Sequence, residues 1–217
     1  MAALRAILFD LDDTLLDTAG VERRRAAQVD ELLGPLVGDL PGFWARYRGH
    51  SSGRDRVDLG EIGYDAFRHE RLAYALEPWS PLDDALFEEY LELSNRVADT
   101  IEPLPGAVDV LRTVRRNGLR CGILTNGPAQ WQRRKLELTN IAGLVDAVAI
   151  SAEIGAAKPS PDAFHAACRA LGAEPGETAM VGDNEPLDVQ GARAAGLARA
   201  FWVATAPLVS LPGLLAA

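Results

Sequence analysis

Five short apolar runs constrain this chain more than any other feature: Ala6 to Phe9, Cys121 to Leu124, Ala147 to Ile150, Ala179 to Val181 and Ala198 to Val203. None shows a sustained alternation of apolar and polar residues, and each ends in a polar or glycine-rich turn. Such runs suit strands buried on both faces, as in a parallel sheet. Helical segments lie between them. Residues 107–117 follow Pro105-Gly106 and stop at Gly118, and residues 161–171 place Phe164, Cys168 and Leu171 on one face and stop at Gly172. A glycine just past the last helical turn is a common stop signal. From about residue 105 onward, this alternation predicts an α/β fold with a doubly wound, mainly parallel sheet.

The stretch from about Asp17 to Thr100 has a different character. It contains no convincing strand, and its apolar residues recur at helical spacing. Leu82, Leu86, Tyr90, Leu93, Val97 and Ile101 form one stripe, and Phe67, Leu72 and Leu76 suggest another. Gly34-Pro35, Pro41-Gly42, Ser51-Ser52-Gly53 and Pro78 to Pro81 divide the stretch into about four helices. The expected organisation is therefore a core domain of residues 1–16 and 100–217, interrupted by an all-helical domain of residues 17–99. An insertion at that point would overhang the C-terminal edge of the sheet, where open α/β folds bind ligands.

Length and charge narrow the function classes. A chain of 217 residues with 48% apolar content can bury a sizeable core. Its net charge of −9 argues against a protein that grips a nucleic-acid polymer through a basic face. No apolar run approaches the ~18 residues of a membrane span. The apolar stretch after Arg5 stops at Asp10, too short for a signal peptide, so a cytoplasmic protein is expected. Cys121 and Cys168 form no CxxC pair and read as buried free thiols. His165 and Cys168 share a helix, but further ligands for a zinc ion are lacking.

Chemistry gathers at four strand ends. In Phe9-Asp10-Leu11-Asp12-Asp13-Thr14-Leu15, two carboxylates are separated by one residue. In an extended segment both would point to the same side, although an acidic capping turn accounts for them nearly as well. Thr125-Asn126-Gly127 ends a strand in a hydroxyl, an amide and a glycine, which can offer an oxygen donor and backbone N–H groups to an anion, or is simply a turn. Lys158 precedes a helix N-terminus, where negative charge is favoured, or is a surface lysine. Gly182-Asp183-Asn184-Glu185-Pro186-Leu187-Asp188 runs from a strand into a carboxylate-rich loop. The conjunction shifts the balance, because strand ends of a parallel sheet lie along one edge. Carboxylates collected there would repel and raise one another's pKa. A hard cation resolves this, and an oxygen-only donor set suits magnesium better than zinc.

The segments Asp10-Leu11-Asp12-Asp13-Thr14, Thr125-Asn126-Gly127, Lys158-Pro159 and Gly182-Asp183 with Asp188 resemble, in order and spacing, the four motifs of the haloacid dehalogenase-like hydrolase superfamily. The resemblance implies that Asp10 is a nucleophile forming an aspartyl-phosphate. Asp12 would protonate the leaving alcohol and then deprotonate the hydrolytic water. Thr125, with the Asn126 backbone nearby, and Lys158 would bind the phosphoryl group. Asp10, the Asp12 backbone carbonyl and Asp183 would hold Mg²⁺, and Asp188 would support that shell.

Within the superfamily, true dehalogenases typically carry Tyr where this chain has Asp12 and need no metal. Phosphomutases of the β-phosphoglucomutase type share the paired Asp and the helical insertion. Residues 17–25 are more similar to the phosphatase branch that includes N-acylneuraminate-9-phosphatases and pyrimidine nucleotidases. A catalytically silent binding module would be expected to have lost Asp10, Asp12 or Asp183. The expected activity is hydrolysis of a small phosphate monoester, a sugar phosphate or nucleotide monophosphate, by a monomer or homodimer. The helical block matches the superfamily's first cap type, since the 31 residues from 128 to 158 leave no room for the second. Arg23, Arg24, Arg25, Arg46, Arg48, Arg54 and Arg56 lie in that block, as do Trp44, Tyr47, Tyr64 and Trp79. They read mainly as solvated helix faces and as core.

Overall fold

The computed structural model describes residues 3–204 and Leu208. Five strands form one sheet: β1 (Ala6–Phe9), β2 (Arg120–Thr125), β3 (Ala147–Ile150), β4 (Thr178–Gly182) and β5 (Arg199–Trp202). Their spatial order is β3-β2-β1-β4-β5, and every neighbouring pair is parallel. The five apolar runs thus become five strands, each within one or two residues of its expected bounds. The helices are α1 (Thr18–Leu33), α2 (Leu40–Gly49), α3 (Arg54–Asp58), α4 (Tyr64–Leu76), α5 (Asp84–Ala98), α6 (Ala107–Arg116), α7 (Ala129–Leu138), α8 (Ser151–Ile154), α9 (Pro161–Leu171) and α10 (Gly191–Ala194). Among the described residues, no helix is long and apolar enough to cross a membrane.

The chain divides into two compact units. The first comprises residues 1–17, 58–60 and 102–217 and contains the sheet. Strands β1 and β4 are buried along their whole length, which requires cover on both faces. One face is covered by α9. Phe164, Ala167, Cys168 and Leu171 pack with Leu8, Leu124 and Met180 in one cluster of buried side chains. Gly122 admits this helix: a Cβ there would lie 3.0–3.1 Å from the Leu171 side chain. Helix α9 is delimited locally as well. The Ser160 side chain accepts from Asp162 N at its start, Pro161 occupies the first turn, and Gly172 closes it at φ 61°. Both cysteines are buried and free, and burial pushes the Cys121 thiol up to about 12.

The second unit, residues 18–57 and 61–101, consists of helices. It holds five where the sequence suggests about four. The additional one, α3, spans only five residues, too short to show a helical period. Asp39 and Asp83 cap α2 and α5 by accepting from Gly42 N and Leu86 N. Of the α5 stripe, Tyr90, Leu93, Val97 and Ile101 are buried, while Leu82 and Leu86 are half-buried. Tyr47 and Tyr90 are core residues whose hydroxyls lie 2.6 Å apart, with the Arg25 guanidinium donating to both. Arg23, Arg24, Arg48, Arg54 and Arg56 are exposed.

Candidate active site

The sheet order reverses at β1, with β2 on one side and β4 on the other, and crevices of α/β sheets form at such switch points. Register places the chemistry there. Phe9 is level with Ile123 and Val181, so Asp10, Thr125 and Asp183 all follow just beyond the same edge. Asp10 N donates to Val181 O at 2.9 Å, which continues the ladder one step past β1. The chain then turns tightly. Leu15 N and Leu16 N both donate to Leu11 O, and Asp13 takes φ 56°, a left-handed conformation that Asp tolerates better than most residues.

Asp10, Asp183 and Asp188 form the one group of three metal-ligating side chains found among the described residues, with ligand oxygens within 4.8 Å of one another. Lys158 lies among them, its Nζ donating to Asp10 Oδ1 at 2.5 Å and to Asp188 Oδ1 at 2.6 Å. Three carboxylates against one ammonium leave two negative charges unbalanced. Burial pushes the Asp10 carboxyl up to about 7 despite the pull of Lys158, and Asp188 and Asp12 add to the rise. Asp183 is raised as well, by burial first and then by Asp188 and Asp13. Lys158 is raised above its ordinary value because the two carboxylates outweigh its own burial, so it stays charged. A buried, oxygen-only donor set with a net charge deficit fits a divalent cation such as Mg²⁺.

Asp188 sits on a π-helical turn, Glu185–Gln190, capped by Asn184 Oδ1, which accepts from Leu187 N. That turn carries its fully buried carboxylate back against Gly182, where a Cβ would come 2.2 Å from Asp188 Oδ2. Asp188 Oδ2 also accepts from Asn184 N. The Asp183 backbone is fixed by Trp202 Nε1, which donates to its carbonyl at 2.7 Å.

The remaining expected residues lie beside this group. Thr125 is buried, its Oγ1 accepting from Gln132 Nε2 at 2.7 Å. The Asn126 side chain binds the Lys158 backbone at both ends, Nδ2 to O at 2.9 Å and Oδ1 from N at 2.8 Å. Its amide therefore holds the loop that delivers Lys158. The Asp12 carboxylate stands apart from the three-carboxylate group. Its Oδ1 accepts from Lys135 Nζ at 2.6 Å and its Oδ2 from Gln132 Nε2 at 2.9 Å. Gln132 and Lys135 are the residues that sequence reasoning missed. Their i, i+3 spacing on the helix following Gly127 puts them on one face but does not say which face meets the site.

The chain belongs to the haloacid dehalogenase-like hydrolase family, which it matches over residues 4–196. It is 35% identical to a phosphoserine phosphatase from Thermus thermophilus, over 92% of this chain and 88% of that protein. It is 30% identical to the mouse (Mus musculus) N-acylneuraminate-9-phosphatase, over 98% of this chain and 88% of the other. Among solved structures, a 2-haloacid dehalogenase from Pseudomonas syringae superposes with a TM-score of 0.71 over 98% of both chains. At 22% identity that likeness shows the fold alone. The chain is an enzyme, a phosphoric monoester hydrolase.

Proposed function

We propose that this enzyme is a Mg²⁺-dependent phosphatase of small phosphate monoesters that works through an aspartyl-phosphate on Asp10. The observation that carries the reading is the Asp10–Asp183–Asp188 group, its first and last members buried, with Lys158 inserted between Asp10 and Asp188. Asp10 and Asp183, with the Asp12 backbone carbonyl, are the proposed ligands, and Asp188 supports them. When bound, the cation neutralises phosphoryl oxygens and the charge of its ligands, which makes phosphorus accessible to an anionic nucleophile.

An Asp10 carboxylate oxygen attacks phosphorus, and the ester P–O bond breaks as Asp12 gives its proton to the departing alkoxide. Asp12, now ionised, takes a proton from water. The hydroxide oxygen attacks phosphorus, the P–O bond to Asp10 breaks, and inorganic phosphate leaves. Thr125 and Lys158 supply donors to the transferring group, whose reaction depends mainly on positioning and charge stabilisation. Asp12 also favours this branch over dehalogenation, since halide departure needs no proton while an alkoxide does.

The helical unit leaves the α/β chain seven residues after Asp10 and rejoins it at Glu102. We assign it the role of a cap that selects the leaving group. The substrate class is a small phosphorylated metabolite, a sugar phosphate or a nucleotide monophosphate. Phosphoserine and N-acylneuraminate 9-phosphate join the panel because relatives act on them.

The test is phosphate release from that panel with Mg²⁺ and with chelator, alongside Asp10→Asn. Turnover that needs Mg²⁺ and falls by at least about 10³-fold in the variant is expected if Asp10 is the covalent nucleophile. Undiminished activity in Asp10→Asn overturns the mechanism, and phosphoryl transfer to a sugar without free phosphate would make the enzyme a mutase.

A further inference from the structure

Helix α7 contributes two polar side chains to the site that the reaction above does not use. Gln132 is only 2% exposed. Its Nε2 lies 2.9 Å from Asp12 Oδ2, 2.7 Å from Thr125 Oγ1 and 2.9 Å from Asn126 O, so two N–H hydrogens serve three acceptors. Its Oε1 is buried and has no hydrogen-bond partner among the described residues. A buried acceptor left unpaired costs stability, so packing alone does not explain a glutamine here. Lys135, three residues on and on the same face of the helix, places Nζ 2.6 Å from Asp12 Oδ1. Each oxygen of Asp12 therefore has its own donor, and both donors come from one rigid element.

We propose that Gln132 and Lys135 are positioning residues that together fix the orientation of the Asp12 carboxylate for proton exchange with the leaving group. The proposal rests on the reading of Asp12 as acid and base given above. An aspartate at a turn otherwise rotates about its Cβ–Cγ bond. Two donors, one per oxygen, remove that freedom before substrate arrives, and pre-set geometry is worth large factors in rate. Gln132 also ties Asp12 to Thr125, so the proton-transfer group and the phosphoryl-binding hydroxyl keep a fixed separation.

Acid assistance matters most when the departing oxygen is basic and least when it leaves readily as an anion. The diagnostic readout is therefore the dependence of kcat/KM on the leaving group, with nitrophenyl phosphate and phenyl phosphate as probes. Gln132→Met and Lys135→Met are expected to lower kcat/KM on phenyl phosphate by about 10-fold or more, and on nitrophenyl phosphate by about 3-fold or less, within the range that general acid catalysis supplies. Lys135→Arg, which keeps a cationic donor, is expected to recover most of the loss on phenyl phosphate. Asp12→Asn, measured in parallel, should show the same steepened dependence. If Gln132→Met does not fold, as judged by circular dichroism, the Lys135 pair of variants, at a side chain 22% exposed, carries the test. Equal losses on both esters in the α7 variants, with a steep dependence in Asp12→Asn, overturn the inference and leave Asp12 as the acid. A flat dependence in Asp12→Asn overturns the reading of Asp12, and the inference falls with it.

Discussion

Replacing Lys158 with Met removes the ammonium that lies 2.5 Å from Asp10 and 2.6 Å from Asp188 while keeping most of the aliphatic stem. Lys158 and Asp188 are almost wholly buried, so solvent offers little compensation. Truncating one partner of a buried ion pair costs about 3–5 kcal/mol, because the other charge is left unpaired. That is a large part of the roughly 5–15 kcal/mol by which a domain is stable. The loss has to depend on pH. The folded Asp10 carboxyl sits at about 7 against an ordinary 3.8, so folding takes up a proton. Its contribution is therefore most favourable at low pH and is lost as pH rises from about 4 to about 7. Lys158 pulls Asp10 down, so without it that decline extends to higher pH. The Lys158 pKa is itself raised from 10.5, and its stabilising share is present throughout this window.

The expected outcome for Lys158→Met in chelator is a loss of about 3–5 kcal/mol at pH 8, shrinking to about 1–2 kcal/mol at pH 5, where Asp10 is protonated. Two compact units make a single global transition a poor measure. Amide hydrogen exchange along β1 and β4 reports the relevant unit directly. Added Mg²⁺ should restore part of the loss at pH 8 by supplying positive charge to the same carboxylates. Equal destabilisation at both pH values, or none at pH 8, would refute the electrostatic argument.

Gly182→Ala places a methyl group 2.2 Å from Asp188 Oδ2, so Asp188 must move; hydrogen exchange in β4 should show a loss of about 1–3 kcal/mol, and titration calorimetry a weaker Mg²⁺ affinity. Because Asp10 must lose a proton near pH 7 to become a ligand, Mg²⁺ affinity should rise between pH 6 and 8 by about 10-fold, with proton release detectable through the buffer dependence of the calorimetric heat. Phe164→Ala empties a fully buried position between α9 and the sheet. It is expected to cost about 3–5 kcal/mol, measured by hydrogen exchange in β1, β2 and β4.

The α/β frame was legible because its signals are local. Each strand is a short apolar run, α6 and α9 each end just before a glycine, and the order of the runs sets a parallel sheet. The four strand ends were legible for the same reason, since a turn that interrupts a buried run must expose its residues at the sheet edge. What escaped reading depended on register within helices. Gln132 and Lys135 sit in Gln-Arg-Arg-Lys, a polar run indistinguishable from a solvated face. Only the phase of α7, fixed by where it starts after Gly127, turns residues 132 and 135 toward Asp12 rather than 133 and 134. Asn126 escaped in another way. A side-chain amide carries the same donor and acceptor pair as a peptide group, and here both are taken by the backbone of Lys158. Nothing local in the sequence says that this amide holds a distant loop, because its partner lies 32 residues away.

Asp188 shows how far spacing can mislead about distance. It stands six residues past the end of β4, in a carboxylate-rich loop, yet it is wholly buried and touches both Lys158 and the start of its own turn. The π-helical winding of Glu185–Gln190 accounts for this. One extra residue per turn shifts the phase of a helix, so a position that α-helical counting would assign elsewhere is turned back toward the strand. The move is possible only beside a residue without a side chain, and Gly182 meets that condition with its bare Cα facing the Asp188 carboxylate. The glycine preceding Asp183 is therefore as much a part of the acidic group as the aspartates. An alanine there would be expected to disturb the position of the Asp188 charge before it disturbs the strand, which makes loss of Mg²⁺ affinity ahead of loss of β4 protection the more telling half of that experiment.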